Sequence, residues 1–269
     1  MKILSDKNKL IKTLHNEKNL GFVPTMGNLH KGHISLIKKS IKECKKTIVS
    51  IYVNKPQFNR KKDFKSYPKN LKRDLRILYK HKVNYLYLPI SKQIYPDGTN
   101  KKIKISTFKK KLCGKFRAGH FEAVADIIDR FIKIINPKKI YMGEKDMQQL
   151  RIIENFVNNN YKKIKIVSCK TIREKNGIAC SSRNFLLSSK QINIASKIYY
   201  LIKRNKKKLI KNKRLITILK KEIKMLGAYK IDYLEVLNIN NLVKPFKKNK
   251  VMRIFIAYYI GSTRLIDNI

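Results

Sequence analysis

The sequence predicts an α/β fold in two parts, with a doubly wound, mostly parallel sheet over residues 1–171 and a smaller α+β domain over residues 172–269. Up to about residue 170, short apolar runs rich in β-branched residues alternate with helical patterns. This alternation is typical of a parallel sheet with helices on both faces. After residue 172, two helical patterns precede two strand-like runs, and a chain of 269 residues is long enough for two cores.

The first part alternates between the two patterns in the manner of Rossmann-like domains. Ile34, Ile37 and Ile41 recur at helical spacing, as expected for a helix that buries one face. Strands are expected at NLGFVPT (19–25), KTIVSIYVN (46–54), NYLYLP (84–89), KKIYMG (138–143) and KKIKIVSC (162–169). Helices are expected at 33–44, 70–81, 121–136 and 147–159. The second part should contain helices at 188–204 and 214–226 and strands at 230–238 and 252–261.

The formal net charge of +47 would suit a nucleic-acid partner. Only 12 of the 64 basic residues are arginine, although the planar fork of arginine binds phosphate better than the lysine ammonium does. The densest basic run, residues 203–214, contains no aromatic side chain for base stacking. Because A/T-rich coding also enriches lysine, we expect a solvated surface here and no specific nucleic-acid partner.

The N-terminal segment MKILSDKNKL is interrupted by charge and lacks the apolar core of a signal peptide. No later run resembles a membrane-spanning helix, so we expect a soluble, cytoplasmic protein without a membrane partner. The four cysteines are scattered without CxxC spacing. Neither disulfides nor a structural zinc site is therefore expected.

The segment PTMGNLHKGH (24–33) lies between the first predicted strand and the helix that follows it. The turn therefore lies at the carboxyl end of a strand, where open α/β sheets bind ligands. Gly27 and Gly32 allow backbone N–H groups to approach a ligand closely. The start of the helix adds unpaired N–H donors and a partial positive charge, so the sequence predicts an anion site.

His30 and His33 lie three residues apart across Gly32 and can face the same side of a first helical turn. Each imidazole can donate an N–H to a phosphate oxygen, and either could be cationic near neutral pH. Two such donors suit a transition state that spreads charge over phosphoryl oxygens. The alternatives are a metal-binding pair or a helix cap, although no acid lies between Thr25 and Ile37 to complete a metal site.

PTMGNLHKGH closely resembles the signature of the pantoate–β-alanine ligase (pantothenate synthetase) family, and HKGH resembles the HxGH element of the nucleotidyltransferase superfamily. Further segments resemble the same family in the same order, so the resemblance covers essentially the whole chain. They are VNKPQF (53–58), SYPKNLKRDL (66–75), IYPDGT (94–99), FRAGHF (116–121), GEKDMQQL (143–150), CSSRN (180–184) and RLIDN (264–268).

The resemblance implies an ATP-dependent condensation of pantoate with β-alanine. The pantoate carboxylate would attack the α-phosphorus of ATP to form pantoyl adenylate, and β-alanine would then displace AMP to give pantothenate. The resemblance also implies a homodimer and Mg²⁺ on the phosphates, with Asp74 as a possible protein ligand. A closing loop is expected to protect the adenylate from water.

The resemblance also assigns residues to the site. The expected catalytic groups are His30, His33 and Lys145. ATP is expected to contact these groups and Met26, Gly27, Gly32, Gly143, Asp146, Ile172, Cys180, Ser181, Ser182 and Arg183. Pantoate is expected to contact Pro24, Thr25, Met26, Asn54, Gln57, Tyr67, Arg117 and Gln149. The departures from the family pattern are Lys55-Pro56, where the proline is shifted by one place, Cys180, where Met or Leu is usual, and Ala123, where glycine is common.

Two of these segments also have a plainly structural interpretation. In GEKDMQQL, Glu144 and Lys145 could form a surface ion pair, although Lys145 as a point charge also suits phosphate oxygens. In CSSRN, the serines could cap a helix as well as bind a triphosphate, and both roles can coexist.

Two rival functions fit parts of the sequence. Another nucleotidylyltransferase, acting on a phosphorylated pantetheine, would share the HxGH element, but Asn54, Gln57 and Gln149 favour a substrate with a free carboxylate. A tRNA-binding protein would suit the charge, because class I aminoacyl-tRNA synthetases have a similar element. However, no anticodon-binding domain fits after residue 172 beyond the small domain predicted there.

Overall fold

A parallel sheet forms the centre of the N-terminal part. The computed structural model describes residues 1–212, 214–239 and 251–269, and within these ranges this sheet has six strands. They are β1 (Lys2–Leu4), β2 (Leu20–Thr25), β3 (Lys46–Ile51), β4 (Tyr85–Tyr87), β5 (Lys139–Gly143) and β6 (Lys165–Cys169). Their order is β1-β4-β3-β2-β5-β6, and the neighbouring strands pair in parallel.

Helices and short turns connect these strands. The helices are α1 (Lys7–Leu14), α2 (Lys31–Glu43), α3 (Lys61–Lys65), α4 (Leu71–Lys80), α5 (Ser91–Ile94), α6 (His120–Ile135) and α7 (Met147–Asn160). Turns of 3₁₀ helix lie at Lys55–Gln57, Thr107–Lys110, Leu112–Lys115, Glu144–Asp146 and Ser182–Leu186. The helices predicted in this part match α2, α4, α6 and α7 to within two residues at each end.

Successive residues of a strand point to opposite faces of the sheet, and here both faces are buried. Phe22 belongs to a core that includes α1, α6 and α7, whereas its neighbour Val23 belongs to a core that includes α2 and α4. Ile48 and Val49 divide between the two cores in the same way. A parallel sheet with two apolar faces must be covered on both sides, which confirms the predicted doubly wound fold.

The direction of strand addition reverses at β2. From β2 the sheet extends through β3 to β4 on one side, whereas β5 and β6 lie on the other side. A crevice forms at the carboxyl ends of the strands at such a switch point, and ligands of open α/β sheets bind there. The two strand ends at this crevice are Thr25 of β2 and Gly143 of β5.

A second sheet follows in the C-terminal part. After α8 (Ser189–Lys211) and α9 (Arg214–Met225), the strands β7 (Lys230–Asn238), β8 (Met252–Ile260) and β9 (Thr263–Asn268) pair antiparallel in the order β7-β8-β9. On β8, Ile254 packs with α8 and α9, whereas its neighbour Phe255 joins the core of the parallel sheet. The second sheet therefore contributes both to the core under α8 and α9 and to one core of the parallel sheet. The domain boundary at residue 171 stays a prediction.

The sequence patterns do not predict β1, α1 or β9, nor the short helices α3 and α5. β1 has three residues and lies at the edge of its sheet, so it leaves little periodic signal. α1 contains three lysines among eight residues, and β9 mixes polar with apolar residues. β1 packs against β4, α1 against α6 and β9 against β8. These contacts with other elements leave no strong local pattern in the sequence.

Some expectations concern the surface of the protein and its cysteines. The basic run 203–214 contributes to α8 and to the first residue of α9, and Lys213 lies outside the described residues. Within the described ranges, no helix combines the length and the apolar character needed to cross a membrane. All four cysteines are buried and free.

Candidate active site at the carboxyl ends of β2 and β5

A cavity of about 280 Å³ lies at the carboxyl ends of β2 and β5. Every residue expected to contact ATP or pantoate lines it except Gly27, and Asp74, the possible metal ligand, does not line it either. The cavity thus brings together the segments that follow β2, β3, β5 and β6. The expected residues found there are Pro24, Thr25, Met26, His30, Gly32, His33, Asn54, Gln57, Tyr67, Arg117, Gly143, Lys145, Asp146, Gln149, Ile172, Cys180, Ser181, Ser182 and Arg183.

The loop after β2 is held by hydrogen bonds to neighbouring groups. The Thr25 hydroxyl donates to the carbonyl of Ser50 on β3 at 2.7 Å and accepts the N–H of Gly27 at 3.2 Å. Gly27 has φ of +79° and Asn28 has φ of +49°. Glycine and asparagine tolerate this left-handed conformation better than other residues, so the sequence allows the chain to turn sharply from β2 towards α2.

The structure changes one expectation about this loop and bears on another. Gly27 does not line the cavity, and a Cβ atom added there would lie 3.0 Å from Ile51 and 3.1 Å from Asp74. Asp74 is committed to the protein backbone, since its two carboxylate oxygens accept the N–H groups of Asn28 and Leu29, each at 2.7 Å. Gly27 therefore permits close packing, and Asp74 anchors the loop through both carboxylate oxygens, so its role as a metal ligand stays a prediction.

His30 and His33 lie together at the start of α2. His30 is the N-cap residue of this helix, and its ring centroid lies 4.0 Å from that of His33. The Nδ1 atom of His30 accepts the backbone N–H of Gly32 at 3.1 Å, so the neutral ring carries its proton on Nε2. The capping alternative is thus realised, and the other nitrogen of the same ring stays available as a donor.

The pKa values of both imidazoles are lowered from the usual histidine value. Burial, assisted by the nearby Lys145 cation, lowers the pKa of His30 to about 4. Burial and the neighbouring His30 lower the pKa of His33 well below its usual value. The lowered pKa values disfavour the cationic form that the sequence allowed for either ring near neutral pH. The Nδ1 atom of His33 is buried with no hydrogen-bond partner among the described residues, and a buried polar atom of this kind favours an external partner.

Lys145 lies on the 3₁₀ turn Glu144–Asp146, which follows β5 directly. Its ammonium lies 3.3 Å from the Asp146 carboxylate, and both side chains line the cavity. Glu144 instead forms an ion pair with Arg253 at 2.6 Å. The surface ion pair considered between Glu144 and Lys145 is therefore not formed, and Lys145 contributes its charge to the cavity.

Asn54 and Gln57 lie after the end of β3, where Lys55–Gln57 form a 3₁₀ turn with a proline in its first positions. The shifted proline is accommodated by this turn, and both amide side chains still line the cavity. The Asn54 amide donates to Gln57 Oε1 at 3.1 Å and to the carbonyl of Ala123 at 3.2 Å. Neither the proline shift nor the alanine at position 123 removes the polar groups expected here.

The two amides differ in how far their hydrogen bonds are satisfied. Asn54 also accepts the hydroxyl of Tyr95 at 2.7 Å, so both ends of its amide are engaged by the protein. The Nε2 atom of Gln57 donates to the sulfur of Met26 at 3.3 Å. A thioether is a weak acceptor, so a substrate oxygen can replace it with a gain in hydrogen-bond strength.

Arg117 and His120 form a hydrogen-bonded pair beside Gln57. Arg117 donates to His120 Nε2 at 2.9 Å and to the carbonyl of Gln57 at 3.1 Å, and His120 Nδ1 donates to that carbonyl at 2.9 Å. Burial and the Arg117 charge lower the pKa of His120 to about 3. Burial and the nearby Arg183 cation lower the pKa of Arg117 to about 10. Arg117 is therefore cationic and His120 neutral at pH 7, an arrangement suited to an anionic ligand.

The segment CSSRN (180–184), which follows β6, is hydrogen-bonded to the loop between β2 and α2. The Ser182 hydroxyl donates to the carbonyl of Asn28 at 3.2 Å. The Ser181 side chain accepts the N–H of Arg183 at 3.3 Å and caps the 3₁₀ turn Ser182–Leu186. The capping interpretation of this segment is correct, and all three side chains still line the cavity.

Several residues that line the cavity were not predicted from the sequence. Lys170 and Thr171 follow β6 and line the cavity. Their position directly after a predicted strand, at the same sheet edge as the other site segments, is the signal that could have found them. The Thr171 hydroxyl is buried without a hydrogen-bond partner in the part of the chain that the structure describes. Cys180 was expected at the site, and its thiol donates to Glu174 at 3.1 Å.

The doubly wound sheet, the crevice at its switch point and the paired histidines after β2 form an α/β ligand site with an HxGH element. The model of the Pantoate-beta-alanine ligase family matches residues 2–269. The chain therefore belongs to the pantoate–β-alanine ligase family.

Individual relatives agree with this assignment. The chain is 35% identical to the pantothenate synthetase of Pseudothermotoga lettingae over 100% of this chain and 97% of that protein. It is 40% identical to the pantothenate synthetase of Sulfurihydrogenibium sp. over 94% of this chain and 92% of that protein. Each of these alignments covers more than nine-tenths of this chain and of the relative.

Solved structures show the same similarity. Pantothenate synthetase from Thermus thermophilus matches with a TM-score of 0.92 and 28% identity, over 100% of this chain and 99% of that chain. Pantoate-beta-alanine ligase from Francisella tularensis, complexed with beta-gamma ATP and beta-alanine, matches with a TM-score of 0.88 and 38% identity, over 100% and 97%. The reaction of this chain is accordingly the ATP-dependent ligation of pantoate and β-alanine.

Proposed function

We propose that the chain performs this ligation in two steps through pantoyl adenylate. In the first step, a pantoate carboxylate oxygen attacks the α-phosphorus of ATP, and the bond to the pyrophosphate leaving group breaks. In the second step, the neutral amine of β-alanine attacks the acyl carbon, AMP leaves, and the amine loses a proton to water. Because the pantoate carboxylate is already ionised at pH 7, the first step requires alignment and charge neutralisation rather than a general base.

The paired imidazoles are the observation that carries this proposal. Their ring centroids lie 4.0 Å apart on a cavity that also contains the Lys145 cation. His30 has Nε2–H available, since its Nδ1 accepts the N–H of Gly32. Fixed donors and cations stabilise the charge that develops on phosphoryl oxygens, so we assign the α-phosphate to the histidines and the neighbouring phosphates to Lys145 and Arg183.

We assign pantoate to the part of the cavity near Gln57 and Arg117. The Gln57 amide can exchange its bond to the Met26 sulfur for one to a substrate oxygen. Arg117 supplies a half-buried positive charge for the carboxylate, and Gln149 and Tyr67 line the same cavity. Alignment of two bound reactants can supply on the order of 7–11 kcal/mol of barrier reduction.

We propose that ATP enters as its Mg²⁺ complex. Among the described residues, no group of three or more His, Cys, Asp or Glu side chains is arranged to hold a metal ion. Asp74 is engaged by backbone N–H groups and Asp146 lies beside Lys145. Mg²⁺ commonly keeps several waters and binds through substrate phosphates, so this donor set fits an ion carried by the triphosphate.

The homodimer and the cytoplasmic location stay predictions from the sequence and its resemblance. Light scattering on the purified protein tests the first, where a monomer mass would contradict it. Fractionation of cells that produce the full chain tests the second, where recovery with the membrane or the medium would contradict it.

Pantoate-dependent release of pyrophosphate tests the reaction sequence. With MgATP and pantoate but no β-alanine, we expect a single burst of pyrophosphate and retained pantoyl adenylate, and AMP should appear only after β-alanine is added. A nucleotidylyltransferase for phosphorylated pantetheine would release pyrophosphate with that acceptor and without pantoate. A tRNA-binding protein would bind RNA with steep salt dependence and show no burst.

A further inference from the structure

We propose that Asn268 is a positioning residue that fixes the turn carrying Lys145. The inference deepens the function proposed above, because it rests on the phosphate-binding role assigned to Lys145. Asn268 belongs to the segment RLIDN (264–268), to which the proposed reaction assigns no role. Its side chain lies at the end of β9, in the C-terminal sheet.

The side-chain amide of Asn268 is fully used by the protein. Its Nδ2 atom donates to the carbonyl of Glu144 at 2.8 Å and to the carbonyl of Lys145 at 2.9 Å. Its Oδ1 atom accepts the guanidinium of Arg253 at 2.8 Å. Two N–H donors and one carbonyl acceptor are thereby satisfied. Although Asn268 borders the cavity, its amide acts on the protein backbone and not on a ligand.

The two carbonyls that receive these bonds belong to the Glu144–Asp146 turn between β5 and α7. Short 3₁₀ turns have poor internal hydrogen-bond geometry, and the residues of this turn are partly buried, where a carbonyl without a partner is less favourable. The two donors from Asn268 therefore favour one conformation of this turn. The direction in which the Lys145 ammonium enters the cavity depends on that conformation.

Asn268 is itself firmly held. Its own N–H is accepted by the Asp267 side chain at 2.7 Å, and its carbonyl accepts a guanidinium N–H of Arg173 at 3.2 Å. Arg253 of β8 reaches the same turn from the side, since it also donates to the Glu144 carboxylate at 2.6 Å. The C-terminal sheet thus provides a rigid support for the Lys145 turn, in addition to β5.

The variant Asn268→Asp tests this proposal with little change in shape. The carboxylate can still accept the Arg253 guanidinium but cannot donate to the two carbonyls. We expect formation of pantoyl adenylate to slow about 10- to 100-fold, because displacement of a group by about 1 Å can cost on the order of 10²-fold. Because Asn268 is buried and two carbonyls lose their donors, the melting temperature should fall, but the protein should stay folded at the assay temperature.

A matched control removes an equivalent bond elsewhere. Asn205 donates its side-chain amide to the carbonyl of Leu201 at 2.9 Å within α8, so Asn205→Ala loses one amide–carbonyl bond away from the cavity. Its adenylation rate should be unchanged. If Asn268→Asp melts much earlier because of the added charge, Asn268→Ala replaces it. A normal adenylation rate in either folded Asn268 variant overturns the proposal.

The double variant Asn268→Asp/Lys145→Ala tests whether Asn268 acts through Lys145 or through a general disturbance of the site. If Asn268 acts through Lys145, Asn268→Asp should slow single-turnover adenylation little further once the lysine is removed, because coupled residues are not additive. Losses that multiply fully would overturn the positioning role while leaving the role of Lys145 intact. A normal rate in Lys145→Ala alone would instead overturn the phosphate-binding role and, with it, this inference.

Discussion

One carboxylate oxygen of Asp74 accepts the backbone N–H of Leu29 at 2.7 Å, which ties α4 to the loop that leads into the two histidines. The other oxygen accepts the N–H of Asn28 at the same distance. Burial raises the pKa of Asp74, and the two backbone bonds act in the opposite direction. This carboxylate is therefore a structural anchor of the nucleotide loop.

Asp74→Asn should lower the free energy of unfolding by about 1–3 kcal/mol, because one backbone N–H then faces an amide donor instead of an acceptor. Urea unfolding measures this loss. Turnover should fall as well, but the Mg²⁺ concentration that gives half of the maximal rate should not change. Asp63→Asn on the exposed side of α3 is the matched control and should alter neither quantity. A large increase in the Mg²⁺ requirement of Asp74→Asn would identify Asp74 as a metal ligand after all.

His30→Ala and His33→Ala should each slow pantoate-dependent pyrophosphate release about 10²- to 10³-fold, the usual loss when a fixed donor to developing charge is removed. Rapid-quench assays measure this step directly. The exposed His15→Ala is the control. Near-normal release by His33→Ala would exclude that ring from the chemistry.

The two histidine variants should differ in stability. Only His30 caps α2 with its side chain, and loss of an N-cap bond costs about 1 kcal/mol. His30→Ala should therefore melt at a lower temperature than the unmodified protein, whereas the fold should survive in both variants. Equal melting temperatures for His30→Ala and the unmodified protein would show that the cap contributes nothing.

The pKa of His30 should respond to ATP. In the free protein, burial and Lys145 lower this pKa to about 4. The negative charge of a bound triphosphate favours the protonated ring, so a non-hydrolysable ATP analogue should raise the pKa. NMR titration of the ring C–H signal, assigned with His30→Asn, measures both values. A free-protein pKa near the usual 6.5 would contradict the burial seen here.

The same burial makes stability depend on pH. The folded pKa of His30 is about 4, below the usual histidine pKa of 6.5, so the unfolded state binds more protons between these values. This group therefore adds stability that is present above pH 6.5 and lost as the pH falls towards 4. His120, with a folded pKa of about 3, acts in the same direction. The urea midpoint of His30→Asn should change less with pH across this range than that of the unmodified protein. The same pH dependence in both proteins would show that His30 does not contribute to it.

Two glycine variants separate packing from binding. Gly27 has φ of +79° and a Cβ atom there would lie 3.0 Å from Ile51, so Gly27→Ala should cost about 1–2 kcal/mol through backbone strain. A Cβ atom at Gly143 would meet nothing within 4 Å and would lie at the cavity wall. Gly143→Ala should keep its stability but raise the KM for ATP. If Gly27→Ala and the unmodified protein unfold at the same urea concentration, the packing role of Gly27 is wrong. If Gly143→Ala has an unchanged KM for ATP, the binding role of Gly143 is wrong.

Much of the fold and of the site could be predicted from the sequence because the relevant signals are local. The apolar periodicity of α2 and the β-branched run of β3 identify their elements within a few residues of chain. The glycines and histidines of PTMGNLHKGH specify a turn and a helix start in the same way. The order of such segments also implied that their strand ends would share one edge, and the structure brings those residues to one cavity.

Patterns along the chain were sufficient to specify most of the strands and helices, and most of the side chains that reach the carboxyl edge of the sheet. Other features became visible only in the folded chain, where Asp74 holds a loop 45 residues away and Asn268 holds a turn 123 residues away. The lowered pKa values of both imidazoles belong with these features, since they depend on burial. The reason is that local patterns depend on near neighbours, whereas these contacts and charges depend on which distant segments pack together.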